Sequence, residues 1–219
     1  SATPGRGVKD DENRMLAAFF NENKISLSDE NYNPIRNPIK YLQENNYLAK
    51  INAKEVASNF TYELSNDEKN AISSQFNDFS DNVLKALADD EQRNLCIIAQ
   101  ISEQARLNKS IIVFACSLEH AGLLNELCSL WGISSAAIDK DTSPYQRKLS
   151  IEKYKNKEIN VLINYGVLTT GFDAPNTEVV IIARPTTSPT LYQQMLGRGI
   201  RGVKVGGNKE CTLIDIKDN

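Results

Sequence analysis

The sequence predicts an α/β fold: a mostly parallel sheet flanked by helices and preceded by a mainly helical segment. From Ser110 onward, short apolar runs alternate with helical patterns of about 10–15 residues, which indicates βαβ units. The run Ile111–Ala115 has no polar residue, as expected for a parallel strand covered on both faces. Before Asn108, apolar residues recur every three to four positions, which is typical of helices. We therefore divide the chain into residues 1–108 and 109–219.

The C-terminal half is predicted to contain five strands separated by helices. Ser143 suits an N-cap, and Pro144 suits the first position of the helix that follows it. The predicted strands are Ile111–Ala115, Ser134–Ile138, Asn160–Asn164, Val179–Ala183 and Thr212–Ile216, and the predicted helices are Leu118–Trp131, Pro144–Lys155 and Pro189–Leu196.

The N-terminal half reads as helices and loops. Pro38 can begin a helix, and residues 66–107 form a long helical stretch in which Asn66 or Asp67 can cap the start. This stretch is too long for one helix, so we expect a break near Asp89–Asp90. We predict that residues 1–108 are the last piece of a preceding domain plus a helical insertion or linker, which serves packing rather than chemistry.

The composition is ordinary for a globular protein, with 41% hydrophobic and 24% charged residues. The net charge of −3 and a pI near 5.4 give no whole-chain sign of nucleic-acid binding, so any such contact must be local. There is no membrane-spanning run or signal peptide, and we expect a cytoplasmic piece of a longer protein without membrane partners. The four cysteines lack metal-site spacing and His120 is the only histidine, so we expect free thiols, a structural histidine and no metal site.

The candidate chemistry lies in segments that leave strands, because ligands of parallel sheets bind outside the carboxyl ends of the strands. These segments are Cys116–Ser117, Asn164–Pro175 and Arg184–Pro189. In the second of them, Asp173 can accept hydrogen bonds from a ribose or pair with an arginine. Alternatively, Asp173 caps the backbone of a simple turn.

A further segment, Gln193–Gly202, contains two arginines at a spacing of three. Arg198 and Arg201 share one face of a helix or tight turn, and a guanidinium matches phosphate oxygens. Glycines on both sides remove bulk, so a ligand can approach. The segment is therefore either an anion clamp suited to a triphosphate or a basic helix end that offsets the helix dipole.

Taken in order, these segments resemble the superfamily 2 helicases and translocases. Gln194 to Arg201 matches the sixth motif of that superfamily, QxxGRxxR, and Thr169 to Asp173 matches the fifth. The opening Ser1-Ala2-Thr3 matches the third motif, and Ile111–Ser117 resembles the fourth. The sequence Gly171–Pro175 and the closing residues 213–219 further resemble the bacterial type III restriction Res-subunit-like and RadD-like DNA helicases.

The resemblance implies a RecA-like domain that completes an ATP site formed mainly by another domain. In the family, that first motor domain holds the phosphates and Mg²⁺ with a Walker A loop and an acidic box. Arg201 is then the arginine finger on the γ-phosphate, and such a finger increases the rate about 10³-fold or more. The resemblance assigns Arg198 to the same phosphate or its Mg²⁺-bound surroundings, Gln194 to the attacking water or to a link with the third motif, and Asp173 to the ribose or an adjacent arginine. The further assignments are Gly171 and Gly197 to the nucleotide, Ser117, Thr169 and Thr170 to the nucleic-acid backbone, and Ser1 and Thr3 to coupling.

The chain departs from the family by having neither GxxxxGK[ST] nor an acidic Asp-Glu box. We therefore expect it to bind ATP poorly and to hydrolyse none by itself, with the first motor domain as its partner in cis. The preferred substrate is DNA, with restriction or repair subunits as further partners. The alternatives are an RNA helicase domain, a non-catalytic α/β domain that binds a partner, and a Rossmann-type oxidoreductase, although no GxGxxG follows a strand.

Overall fold

The computed structural model describes residues 14–15, 18–19, 27–28, 31–73, 78–167 and 174–218. These residues form six strands and seven α-helices. In chain order they are α1 (Pro38–Glu44), β1 (Lys50–Ala57), α2 (Asn66–Ser73), α3 (Asp81–Asp89), α4 (Glu91–Arg106), β2 (Ile111–Phe114), α5 (Leu118–Leu130), β3 (Ser135–Ile138), α6 (Pro144–Lys155), β4 (Val161–Asn164), β5 (Val179–Ile182), α7 (Pro189–Leu196), a 3₁₀ turn (Val203–Val205) and β6 (Glu210–Lys217).

All six strands are parallel and lie in one sheet in the order β1–β6–β5–β2–β4–β3. β2 is central, and its Ile111 pairs with Val161 of β4 on one side and Val179 of β5 on the other. Every residue of β2, β4 and β5 is buried. The apolar, β-branched runs therefore form the strands that the sequence predicted, because only two-sided burial accommodates them.

Helices cover both faces of the sheet. On one face α4 and α5 pack through Ile97, Ile101 and Leu124 against the strands. On the other face α6 and α7 do so through Tyr154 and Met195. The predicted α/β class with a RecA-like sheet flanked by helices is thus confirmed, and the sheet is wholly rather than mostly parallel. No helix in the described part of the chain has the length and apolar character needed to cross a membrane.

Capping residues set the helix boundaries. Ser143 accepts a hydrogen bond from the Gln146 amide ahead of Pro144, as predicted. Asp90 lies at the predicted break and caps α4 by accepting from the Arg93 amide at 2.6 Å. The predicted cap at Asn66 or Asp67 is wrong, because the Ser65 hydroxyl accepts from the Glu68 amide and the helix begins at Asn66 itself.

Strand β1 was not predicted. Its sequence, KINAKEVA, lies at the edge of the sheet with seven of its eight residues exposed, so it lacks the apolar pattern by which a strand is recognised. It nevertheless pairs with β6 along its whole length, from Lys50 opposite Glu210 to Ala57 opposite Lys217. Residues before 109 therefore contribute a strand and α4 to the sheet layers, while the division of the chain at residue 108 stays a prediction.

A buried arginine joins several strands at the carboxyl edge of the sheet. Arg93 is fully buried and forms a two-pronged ion pair with Asp218, with Nε–Oδ1 at 2.8 Å and Nη2–Oδ2 at 3.1 Å. Its guanidinium also donates to the carbonyl oxygens of Leu87 and Ala183. Asp218 further accepts from the Ser58 hydroxyl at 2.6 Å. The ends of β1, β5 and β6 and the start of α4 are therefore held by one group.

His120 is buried beside this arginine. Its Nδ1 accepts from the Cys116 amide at 3.1 Å, so Nε2 has the proton and donates to Asn94 Oδ1 at 2.9 Å. Burial, aided by the positive charge of Arg93, lowers the pKa of His120 to about 3. The imidazole is therefore neutral, and it links α4, α5 and the end of β2.

Removing the charge of Asp218 tests the buried ion pair. We expect Asp218→Asn to lower the free energy of unfolding by about 3–5 kcal/mol, because Arg93 keeps a buried charge without a counter-ion. Glu103→Gln is the matched control, since the Lys54–Glu103 pair is about half exposed and its loss should cost under about 1 kcal/mol. Urea denaturation measures the free energy of unfolding of both variants. An equal loss in the two variants would contradict the importance of the buried pair.

The neutral His120 predicts a pH dependence of stability. Its folded pKa of about 3 lies below the ordinary histidine pKa of 6.5, so the unfolded state binds the proton first. The resulting stabilisation is present above pH 6.5 and is lost as the pH falls towards 3. Between pH 7.5 and 5 we expect the wild type to lose about 2 kcal/mol more than His120→Gln. Urea denaturation at each pH measures the free energy of unfolding of both proteins. If it falls by the same amount in the two proteins between pH 7.5 and 5, this prediction is wrong.

Candidate nucleotide and nucleic-acid site

The loops that leave β2, β4 and β5 meet at the carboxyl edge. Ser117 follows β2 and caps α5 by accepting from the His120 amide at 3.1 Å. Asn164, the last residue of β4, is buried and donates to the Val113 carbonyl at 3.3 Å. α5 and α7 leave β2 and β5 for opposite faces of the sheet, so a crevice opens between these neighbouring strands, as is typical of ligand sites in parallel sheets.

The segment with Arg198 and Arg201 does not lie at this edge. α7 begins after β5 and runs back along the sheet, and Gly197 ends it. Arg201 forms an antiparallel bridge with Leu48, immediately before β1, which places it towards the amino ends of the strands. The two arginines therefore lie away from the carboxyl ends of the strands, and their roles remain predictions based on the resemblance.

Both arginines are partly buried and partly exposed, as is Gln194 in α7. The backbone around them is tied to the amino edge: Ala49 donates to the Ile200 carbonyl at 2.9 Å, and Asn208 donates to the Arg201 carbonyl at 2.9 Å. An arginine that is not fully buried and that extends from a fixed backbone can bind an anion. The predicted residues Ser1, Thr3, Thr169, Thr170, Gly171 and Asp173 lie outside the described residues.

The glycines of this segment allow close packing within the protein. A Cβ at Gly199 would collide with Cys211 Sγ and would lie 2.7 Å from Val180 Cγ2. A Cβ at Gly202 would meet the backbone of Asn46 and Tyr47. The expectation that these glycines open a path for a ligand is therefore corrected: at Gly199 and Gly202 the missing side chains make room for neighbouring strands and loops.

Residues 92–203 match the family described as the helicase conserved C-terminal domain. The chain belongs to this family. IRC3 of Saccharomyces cerevisiae, a proposed ATP-dependent helicase, is 33% identical over 132 residues, covering 59% of this chain and 19% of that protein. The ATP-dependent rRNA helicase RRP3 of Scheffersomyces stipitis is 29% identical over 230 residues, covering 97% of this chain and 46% of that protein. The predicted membership of superfamily 2 is thereby confirmed.

The fold of this helicase C-terminal domain is also found in solved structures. The crystal structure of the C-terminal part of the Fun30 ATPase domain has a TM-score of 0.52 and 19% identity, and the match covers 59% of this chain and 42% of that chain. At this identity the likeness shows the fold alone. The helicase C-terminal domain spans less than half the length of the curated relatives IRC3 and RRP3.

The donor groups of the domain fit part of an ATP site. Arg198 and Arg201 supply cationic donors of the kind that bind phosphates. In the part of the chain that the structure describes, no cluster of three or more acidic, histidine or cysteine side chains could hold a metal ion. The arginines therefore suit the phosphates of ATP.

Sequence reasoning missed Arg184, a cation at the carboxyl edge of the helicase domain. Arg184 lies two residues after the end of β5, and its Nη2 lies 2.9 Å from Asp78 Oδ2. Asp78 also accepts from the Thr187 amide at 3.0 Å. The segment Arg184–Pro189 was singled out by its position after a strand, but nothing in the sequence indicated Asp78 as its partner.

The thiol nearest to this edge is unreactive. Cys116 precedes Ser117 and donates to the Ala183 carbonyl at 3.2 Å. Burial raises the pKa of the Cys116 thiol to about 11. It therefore stays protonated at neutral pH, which disfavours a role as a nucleophile.

Replacing Gly199 tests the packing of the arginine segment. We expect Gly199→Ala to lower the free energy of unfolding by about 1–3 kcal/mol, because the added Cβ overlaps Cys211 and Val180. Gly122→Ala is the matched control: nothing lies within 4 Å of its new Cβ inside α5, and it should stabilise the helix by up to about 1 kcal/mol. Thermal or urea denaturation measures both, and a stabilised Gly199→Ala would show that the segment is loosely packed.

Proposed function

We propose that this chain is the second motor domain of an ATP-dependent nucleic-acid helicase or translocase, and that it supplies arginines to an ATP site completed by a first motor domain in cis. The observation that supports this most strongly is the match of residues 92–203 to the helicase C-terminal family together with an intact QxxGRxxR motif. The partial exposure of Arg198 and Arg201 on a well-fixed backbone suits that role.

In this proposal Arg201 is the arginine finger. Its guanidinium donates to the γ-phosphate of ATP and stabilises the negative charge that develops during phosphoryl transfer. Arg198 contacts the same phosphate, and Gln194 orients the attacking water. Gly171, Asp173 and Gly197 line the nucleotide. Mg²⁺ neutralises phosphate charge when bound, and its ligands belong to the first motor domain.

Nucleic acid is bound along the carboxyl edge. Ser117, Thr169 and Thr170 contact the phosphate backbone with hydroxyl and amide donors, while Ser1 and Thr3 couple hydrolysis to movement of the strand. Contacts of this kind position a protein without reading sequence. Neutral donors also agree with the low pI, because the chain as a whole is not basic.

DNA is the preferred strand in this proposal, in keeping with the resemblance to Res-subunit-like and RadD-like DNA helicases and with restriction or repair subunits as partners. RNA is the second candidate. The observation that favours RNA is the match to RRP3, which is named an rRNA helicase and aligns with 97% of this chain. Contacts to the 2′-hydroxyl distinguish RNA from DNA.

The test is nucleic-acid-stimulated ATP hydrolysis by the complete gene product. We expect Arg201→Ala to reduce turnover about 10³-fold or more with little change in the affinity for single-stranded DNA or RNA, because the finger acts on the phosphate and not on the strand. Lys209→Ala, at an exposed cation a few residues away, is the control and should retain turnover.

Two results would contradict this assignment. Unchanged turnover in Arg201→Ala would contradict the assignment of Arg201 as the arginine finger. An equal loss of turnover in Lys209→Ala would indicate a general effect of charge. Running the same assay with DNA and RNA strands of one sequence decides between the two substrates.

A further inference from the structure

A cavity of about 380 Å³ lies at the carboxyl ends of β5 and β6. One wall comes from the segment between β1 and α3, and the other comes from the strand ends and α7. Its volume is at the lower end of the range for sites that hold small molecules or single chemical groups.

The first wall is aromatic and aliphatic. Phe60 and Tyr62 have nearly parallel rings, with centroids 6.4 Å apart and an interplanar angle of 16°. Phe79, Val83 and Leu87 continue this wall. Flat aromatic faces are the surfaces on which bases of single-stranded nucleic acids stack, whatever the sequence.

The opposite wall is polar, and its acidic groups are paired. Asp215 accepts from the Tyr192 hydroxyl at 3.4 Å and lies 2.9 Å from Lys217 Nζ. Asp218 is bound by Arg93. Since these carboxylates have cationic partners, they do not present an unbalanced negative charge to a phosphate. Hydroxyl, ammonium and carboxylate groups together offer both donors and acceptors to the edge of a base.

Arg184 places a guanidinium beside the cavity. It lines this cavity and also a smaller one of about 240 Å³ at the ends of β2 and β4. Its pairing with Asp78 uses Nη2, and 19% of its side chain is exposed. An arginine fork can bind a phosphate oxygen while it keeps one carboxylate partner. The two cavities and Ser117 share the carboxyl edge, which is the edge assigned to the strand.

We propose that the larger cavity takes one base of the bound single strand, with Arg184 binding a phosphate next to that base. This inference rests on the proposed function, because it names the place where the strand of that function enters the fold. The base stacks on the wall formed by Phe60, Tyr62 and Phe79, and its polar edge faces Tyr192 and Asp215. A purely aliphatic ligand would leave the polar wall without partners.

The direct test is photocrosslinking of the complete gene product to a single strand that contains 5-iodouracil, in DNA and RNA forms, followed by mass spectrometry of the peptides. Adducts on residues 60–64 or 79 are expected. The second test is strand affinity: Tyr62→Leu should weaken binding about 5- to 100-fold, the value of one stacked base. Trp131→Leu is the matched control, since this half-exposed aromatic residue lies past the end of α5 at the opposite edge.

The double variant Asp78→Asn with Arg184→Gln tests the phosphate contact. It removes both charges and leaves the net charge of the chain unchanged, so the slope of log affinity against log salt should fall by about one. A merely structural role for Arg184 would not change this slope. Thermal unfolding verifies that each variant is folded. If a variant does not fold, crosslinking of the wild-type protein alone decides whether the base binds in this cavity.

The outcomes separate the two proposals. If strands bind and stimulate hydrolysis but adducts form only elsewhere, with the affinity of Tyr62→Leu and the salt slope unchanged, the base site is wrong and the proposed function stands. If neither DNA nor RNA binds or stimulates hydrolysis, both proposals are wrong.

Discussion

The buried ion pair of Arg93 and Asp218 is the interaction on which the carboxyl edge depends. An arginine with no exposed surface is costly to desolvate, and only a set of well-placed acceptors makes it tolerable. Asp218 supplies two of these, and the carbonyls of Leu87 and Ala183 supply others. Because these acceptors come from distant parts of the chain, the edge can form only when α4, β5 and β6 are all in place.

This dependence gives the two candidate sites different surroundings. Arg184 and Ser117 lie at the edge that Arg93 organises, while Arg198 and Arg201 lie past the far end of α7. A helix of eight residues is about 12 Å long, so α7 spans the distance between the two regions as one rigid element. In the proposed function, this places strand contacts near the start of the helix and phosphate contacts past its end. A shift of α7 would then move the residues of both proposed sites.

The sequence predicted what local patterns determine. Strands β2, β4 and β5 follow from apolar runs that need two-sided burial, and the cap at Ser143 follows from residue type. Strand β1 could not be predicted, because an exposed edge strand has no apolar pattern. The pairing of Arg184 with Asp78 joins residues more than a hundred positions apart, and no local pattern indicates it.

The glycines show why a motif can be recognised before its physical reason is known. From the sequence alone, we expect the glycines beside Arg198 and Arg201 to give a ligand access to the guanidinium groups. The structure favours packing at Gly199, next to Cys211 and Val180, and at Gly202, next to the backbone before β1. Packing agrees with the proposed anion site, because a backbone fixed from several sides holds an arginine in position before a ligand arrives. Donors that are already in place need no reorganisation when charge develops, and this is the property that electrostatic catalysis requires. The glycines therefore support the proposed role of the arginines indirectly, by fixing the chain from which those side chains extend.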